Sequence, residues 1–253
     1  MEQWPQPDTP APVDELLGGP WIYHVLQMAN RYYRPSVLRY HRAVGDDNRL
    51  KYITYFLDVR DQRVLEIGPL EGHHSVILEK MGVRENIAIE GRAENLKKCL
   101  RVKEKYHLDH TQFLQYNLES LYKEELVPAF AGPFDLVFCL GVLYFMPDPG
   151  RALAWMRSQS NTLFLGTSYI AEEPRQAECY SYGGKAYRGL VIRSGDDSDG
   201  DTPGTAHGMS PTATVLCEKD LLLLMRDVGY SRISVLGKDM QGTSPHITIL
   251  AEA

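Results

Sequence analysis

From Arg63 onward the chain alternates short apolar runs with amphipathic ones, and this rhythm restricts the available folds more than any other feature. Arg63–Ile67 (RVLEI), Asn86–Glu90 (NIAIE), Thr111–Tyr116 (TQFLQY), Phe134–Leu140 (FDLVFCL) and Thr162–Thr167 (TLFLGT) read as strands. Ser75–Met81, Glu94–Tyr106 and Pro149–Ser158 carry helical spacing. Strands separated by helices pair in parallel through crossovers, so the pattern predicts an α/β, doubly wound, mostly parallel sheet covered on both faces. After a helix at Lys219–Val228, stopped by Gly229, come Arg232–Leu236 and His246–Ala251. These two runs are too close for a crossover and predict an antiparallel hairpin at the sheet edge.

Two segments stand outside the rhythm. Residues 1–59 read as a proline-rich arm followed by a helical cap, placed before a domain spanning 60–253. Residues 171–217 are too long for a plain connection and form an insertion after strand five. It holds Tyr180, Tyr182, Tyr187 and Arg188 and the run SGDDSDGDTPGTAHG. Its expected place is over the carboxyl end of the sheet, as acceptor wall and lid.

The stretch VLEIGPLEGHHS, residues 64–75, is a strand entering a glycine turn and a helix. A dinucleotide turn uses its second glycine to let the backbone touch a pyrophosphate. Here Leu70 holds that place, and Pro69 before it has no N–H to donate. No GK[ST] follows, which excludes a Walker loop. Gly68 and Gly72 still allow a tight bend. The cofactor this turn suits has a nucleoside end and no phosphate, and S-adenosylmethionine fits. Glu66 stands where a carboxylate can orient the cofactor's ammonium through water or backbone. Glu90, followed by Gly91, ends the second strand about 20 residues after the turn, where an acid accepts ribose hydroxyls. Asn117 is placed to accept from the adenine amino group and Leu118 to pack on the ring. Leu140–Gly141 would pass the sulfonium.

On VLEIGPLEGHHS, IAIE, LQYNLESL and FDLVFCLGVLYFMPDPGRAL, the chain from about Arg63 to its end resembles the seven-stranded, class I S-adenosylmethionine-dependent methyltransferases. The resemblance implies a seven-stranded sheet whose last strand is antiparallel. GVLYFMPDP, GKAYRGL and SPTATVLCEKDLLLLMRDVGY look like a bacterial branch related to the tRNA wobble-uridine carboxymethyltransferases. Two residues depart from the pattern: Leu70 replaces the usual second glycine, and Phe145 stands where relatives often carry His.

Competing readings are weaker. A formal charge of −6 does not advertise nucleic acid, although Arg31, Arg34, Arg39, Arg42 and Arg49 are interleaved with aromatic residues. The N-terminus is not a basic, apolar leader, and no apolar run approaches the roughly 20 residues that cross a bilayer, so a soluble, cytoplasmic chain without a membrane partner is expected. Cys99, Cys139, Cys179 and Cys217 form no CxxC pair and read as reduced thiols. No metal is expected: adjacent His73 and His74 cannot aim at one point, and His73 suits the helix start near the cofactor carboxylate. Asp197, Asp199 and Asp201 imitate a calcium loop, which fails at Thr202 and Gly208.

Methyl transfer from a sulfonium is an in-line displacement, and a base is needed only when the nucleophile arrives protonated. His41 and His207 are the candidate bases; Tyr144, Tyr182 and Arg188 are the candidates for positioning the acceptor. The expected activity is methyl transfer to oxygen or nitrogen of a small metabolite. The alternatives are a tRNA-modifying methyl- or carboxymethyltransferase and a silent S-adenosylmethionine binder. Pro69 and the terminal hairpin weigh against a nicotinamide-dependent oxidoreductase.

Overall fold

The computed structural model describes residues 49–122, 130, 132–171, 178–193, 208–241 and 244–253. The arm and most of the expected cap therefore lie outside the described residues, as do His41, His207, the calcium-like run and all of the arginine stretch but Arg49.

Seven strands form one sheet: β1 (Arg63–Ile67), β2 (Glu85–Glu90), β3 (Thr111–Gln115), β4 (Leu136–Leu140), β5 (Thr162–Ser168), β9 (Arg232–Gln241) and β10 (Ser244–Glu252), in the order β3-β2-β1-β4-β5-β10-β9. The pairs β1–β2, β1–β4, β2–β3 and β4–β5 are parallel. β10 runs antiparallel to both β5 and β9, so the predicted hairpin is present, with β10 inside and β9 at the edge. The hairpin is longer than its apolar core suggests. Pairing continues from Leu236 through Gly237, Lys238 and Asp239 to Gln241, because polar side chains on an edge strand cost the ladder nothing.

The helices are α1 (Arg49–Phe56), α2 (His73–Lys80), α3 (Ala93–Tyr106), α4 (Leu118–Leu121), α5 (Pro149–Gln159) and α6 (Glu218–Asp227). α5 begins where the sequence dictates: the Asp148 side chain accepts from the Arg151 N–H and Pro149 fills the first turn.

Both faces of the sheet are covered, and strand periodicity divides them. Leu65, Val137, Cys139, Leu163 and Leu165 pack with Leu153 and Met156 of α5 and Leu224 and Met225 of α6. Their neighbours Val64, Leu136, Phe138 and Phe164 face the other way, toward Ile77 and Leu78 of α2 and Ile53 of α1. Phe138 and Phe164 stack with centroids 5.5 Å apart. α3 covers Ala88 with Cys99 and Val102. Each fully buried aliphatic side chain is worth about 1.5–3 kcal/mol, which explains strands that are apolar at every position, not at alternate ones.

The insertion holds ordered structure that local periodicity does not announce. β6 (Glu178–Tyr182), β7 (Lys185–Arg193) and β8 (Thr212–Leu216) form a separate antiparallel sheet. Gly183 and Gly184, both at positive φ, close the two-residue β6–β7 turn. Among the described residues no helix is long and apolar enough to cross a membrane.

Candidate functional site

The carboxyl ends of β1, β2 and β4 meet at the glycine turn. Gly68 sits at φ +69°, donates its N–H to Ile89 O at 2.9 Å, and has no room for a Cβ, which would collide with Cγ2 of Val142 after β4. The buried Pro69 accepts from the Gly72 N–H at 2.8 Å, which closes the turn. Gly72, at φ +83°, starts α2. Leu70 takes φ +56°, the left-handed region where a glycine would be strain-free. Its N–H donates to Oε2 of Glu90 at 3.1 Å. The group that a dinucleotide turn offers to phosphate is thus occupied by a carboxylate from the next strand.

Glu90 is 6% exposed and gathers three donors. Besides Leu70, Oε1 accepts from the Arg92 N–H at 2.9 Å and from Asn95 Nδ2 at 3.5 Å. Burial pushes its carboxyl above the ordinary range, while the bonds from Arg92, Asn95 and Leu70 pull it back. Gly91 beside it is packed so closely by the Met209 side chain that a Cβ there would clash with Sδ.

Glu66, expected to orient the cofactor's ammonium through water or backbone, lies at the base of the turn. It is 1% exposed, and Oε2 accepts from Ser75 Oγ at 2.6 Å and Asn86 Nδ2 at 2.8 Å, beneath the turn. Oε1 is buried with no hydrogen-bond partner. Burial raises its pKa. A carboxyl with a raised folded-state pKa binds protons in the folded chain before the unfolded one. Stability then falls as pH rises from the unfolded value toward the folded one, and stays lower above it. Glu66→Gln is therefore expected to raise the melting temperature at pH 7.5 and to flatten the fall in stability as the pH rises above about 4.5. Melting curves across that range check it; an unchanged slope would reject the assignment.

The remaining candidates divide. Asn117 caps α4, its Oδ1 accepting from the Glu119 N–H at 2.9 Å, with Leu118 buried behind it. Leu140 is buried, and Gly141 at φ +80° donates to Gly166 O at 2.9 Å. His73 and His74 are buried in the first turn of α2, and His74 lies edge-on to Phe138 with centroids 5.6 Å apart. Among the described residues no group of His, Cys, Asp and Glu could hold a metal ion.

Described residues of the insertion contact the segments that follow β2, β3 and β4. The Thr214 N–H and Oγ1 donate to Met146 O and Pro147 O, both at 2.9 Å. Arg92 Nη2 donates to Gly208 O at 2.8 Å, and Ser210 Oγ to Glu119 Oε2 at 3.3 Å. Residues 208–214 thus pass across the ends of β2 and β4. The insertion's tyrosines and arginine, expected to grip an acceptor, make contacts that fasten the insertion to α5 and α6. Tyr180 Oη donates to Asp148 and accepts from the Gly150 N–H, and the Tyr182 ring leaves no space for a Cβ on Gly150. Tyr187, fully buried, donates to Asp227 at 2.6 Å. Arg188 is bound by Asp220 through its backbone N–H at 3.0 Å and its guanidinium at 3.1 Å. Their sequence neighbours gave no sign of this, because the partner acids sit on α6 and before α5.

Tyr144, on the short 3-10 turn 143–145 after β4, meets His246 edge-on with centroids 5.4 Å apart. His246 and its partner Ser168 were not singled out from sequence. The available signal was topological: β10 is antiparallel, so its first residues share an end with the last of β5.

Residues 65–158 match a family model described as a methyltransferase domain. A tRNA U34 carboxymethyltransferase of Campylobacter hominis is 29% identical over 46% of this chain and 39% of its own. A ubiquinone biosynthesis O-methyltransferase of Xanthomonas oryzae pv. oryzae is 31% identical over 47% of this chain and 48% of its own. The matched stretch thus spans less than half the length of these curated relatives. Among solved structures, the N-terminal domain of EvdMO1 with SAH bound superposes with TM-score 0.68 at 23% identity, over 83% of this chain and 82% of that one. Magnesium protoporphyrin IX methyltransferase from Synechocystis PCC 6803 with bound SAH gives 0.55 at 14% identity, over 90% and 93%. The fold is that of the class I methyltransferases, as the sequence motifs implied.

Proposed function

From a chain whose residues 65–158 are a methyltransferase domain in the class I fold, we propose a methyl transfer from S-adenosylmethionine to oxygen or nitrogen of a small molecule. The observation that carries the donor is the pairing of Leu70 and Glu90. A turn whose N–H is given to a carboxylate repels phosphate, and that same carboxylate, at the end of β2, is placed to accept hydroxyls of a ribose. The residues present fit such a group. Gly68 and Gly141 turn the backbone at positive φ at the ends of β1 and β4, and Glu90 supplies acceptor oxygens at the end of β2. When bound, S-adenosylmethionine supplies an activated methyl; the chain's own work is to orient it and exclude water. Residues 208–214, crossing the ends of β2 and β4, are positioned for that exclusion.

The second reading, transfer of a methyl or carboxymethyl group to tRNA, is supported by the Campylobacter relative and opposed by the net charge of −6. A chain that binds S-adenosylmethionine without turnover is a third. Calorimetry with S-adenosylmethionine, S-adenosylhomocysteine and NAD tests the donor, and the expected result is binding of the first two and not the third. Filter binding to bulk tRNA tests the acceptor class. Micromolar affinity at physiological salt with a steep negative salt slope would replace the small molecule by RNA.

A further inference from the structure

We propose that residues 208–210 form a clasp across the cofactor cradle, and that the cofactor enters and leaves only when this end of the insertion is released. The proposal rests on the S-adenosylmethionine reading and names how that site exchanges its ligand. Three consecutive residues reach the segments that follow three strands. Gly208 packs against Phe145 after β4, so closely that a Cβ would lie 3.1 Å from the Phe145 carbonyl oxygen. Its own carbonyl accepts from Arg92 Nη2, after β2, at 2.8 Å. Met209 lays its thioether on Gly91, where an added Cβ would collide with Sδ. Ser210 Oγ donates to Glu119 Oε2, after β3, at 3.3 Å. In the sheet β1 lies between β2 and β4, so a stretch joined to the segments after both spans the end of β1, where the glycine turn begins.

The two ends of this crossing are held differently. The Thr214 N–H and hydroxyl donate to Met146 O and Pro147 O, both at 2.9 Å, and β8 pairs along β7, whose Tyr187 and Arg188 are bound to α6. That end is fixed through backbone. The hydrogen bonds given above for 208–210 each use a side chain, and among the described residues no backbone–backbone bond joins this stretch to the loops. Glu90 is 6% exposed, so a ribose reaches its oxygens only after a neighbour moves. Leu70 belongs to a turn tied to α3 by the buried Lys98–Glu71 pair, and Asn95 is part of α3 itself. Met209, 47% exposed beside Gly91, is the neighbour held most weakly, and segments with little buried contact open first. Arg92 couples the clasp to the acid, since its N–H donates to Glu90 and its guanidinium to Gly208. A clasp that bars passage both ways sets rates through the fraction of time it is open, and changes affinity little.

Surface plasmon resonance on the immobilised full chain, with S-adenosylhomocysteine as the probe, tests this through association and dissociation rates. In Met209→Ala both rates are expected to rise at least about fivefold, with the dissociation constant within about threefold of the parent's. Gly91→Ala, whose new Cβ displaces Sδ, should move both rates the same way. Adding Met209→Ala to it should bring no further gain, because the two substitutions act on one contact. Rates within about twofold of the parent's in both single variants overturn the clasp and leave the donor reading intact. A rise in dissociation alone also overturns it, since Met209 would then be a contact surface for the ligand and not a barrier to its passage. Failure of the parent chain to bind S-adenosylhomocysteine in calorimetry overturns the donor reading, and the proposal with it.

Discussion

Lys98→Ala is expected to destabilise the chain by about 3–5 kcal/mol, a larger loss than any other single truncation considered. Lys98 on α3 meets Glu71 in the glycine turn at 3.2 Å, with side chains 2% and 1% exposed. Removing the ammonium leaves a carboxylate held without this counter-ion where water cannot reach it. A single domain holds only about 5–15 kcal/mol in total, so the loss should appear as a large drop in the urea midpoint. Replacing both partners by apolar residues of similar size, Lys98→Met with Glu71→Leu, should recover much of it, because no buried charge is then left to desolvate. A single variant within 0.5 kcal/mol of the parent, on the order of a neutral surface change, would show that the pair is not desolvated in solution. The pair also explains how a strained turn persists: Leu70 is held between Glu71, fixed to α3, and its own N–H bond to Glu90.

The second large effect belongs to the cofactor. Glu90→Ala is expected to weaken S-adenosylhomocysteine binding by about 1.5–3 kcal/mol, or roughly 10–150-fold, through lost charge-assisted bonds. Part of the effect comes from the turn itself, since Leu70 and Arg92 lose their common acceptor. Glu90→Gln separates the contributions. It retains an acceptor for one backbone N–H but no charge, and should fall between the parent and the alanine variant. Calorimetry on variants with parent-like circular dichroism is the measurement. An alanine variant that folds and binds with unchanged affinity would place the ribose elsewhere.

Several features are legible in the residues alone. Runs such as LVFCL at β4 and RVLEI at β1 are apolar almost throughout because both faces of a parallel strand are covered, so they announce themselves. Gly68, Gly72 and Gly141 mark turns because their positive φ values admit little else. The anchoring of the insertion is not legible in this way. Tyr180, Tyr187 and Arg188 find Asp148, Asp227 and Asp220, from 32 to 40 positions away, and no local pattern encodes such a pairing. A cluster of tyrosines and an arginine looks the same in sequence whether it grips a ligand or fastens a sheet.

By itself, the sequence determined the order of strands and helices in the main sheet, the glycine turn after β1 and the acid that ends β2. These depend on local periodicity and backbone geometry, which residues carry with them wherever they sit. Tertiary structure alone decided that Glu66 turns beneath the turn to Ser75 and Asn86, that residues 208–214 cross the ends of β2 and β4, and that His246 meets Ser168 and Tyr144. Those outcomes arise when strand ends distant in sequence are brought to one edge of a twisted sheet. Register and packing then select each side chain's partner from everything the fold has placed within reach.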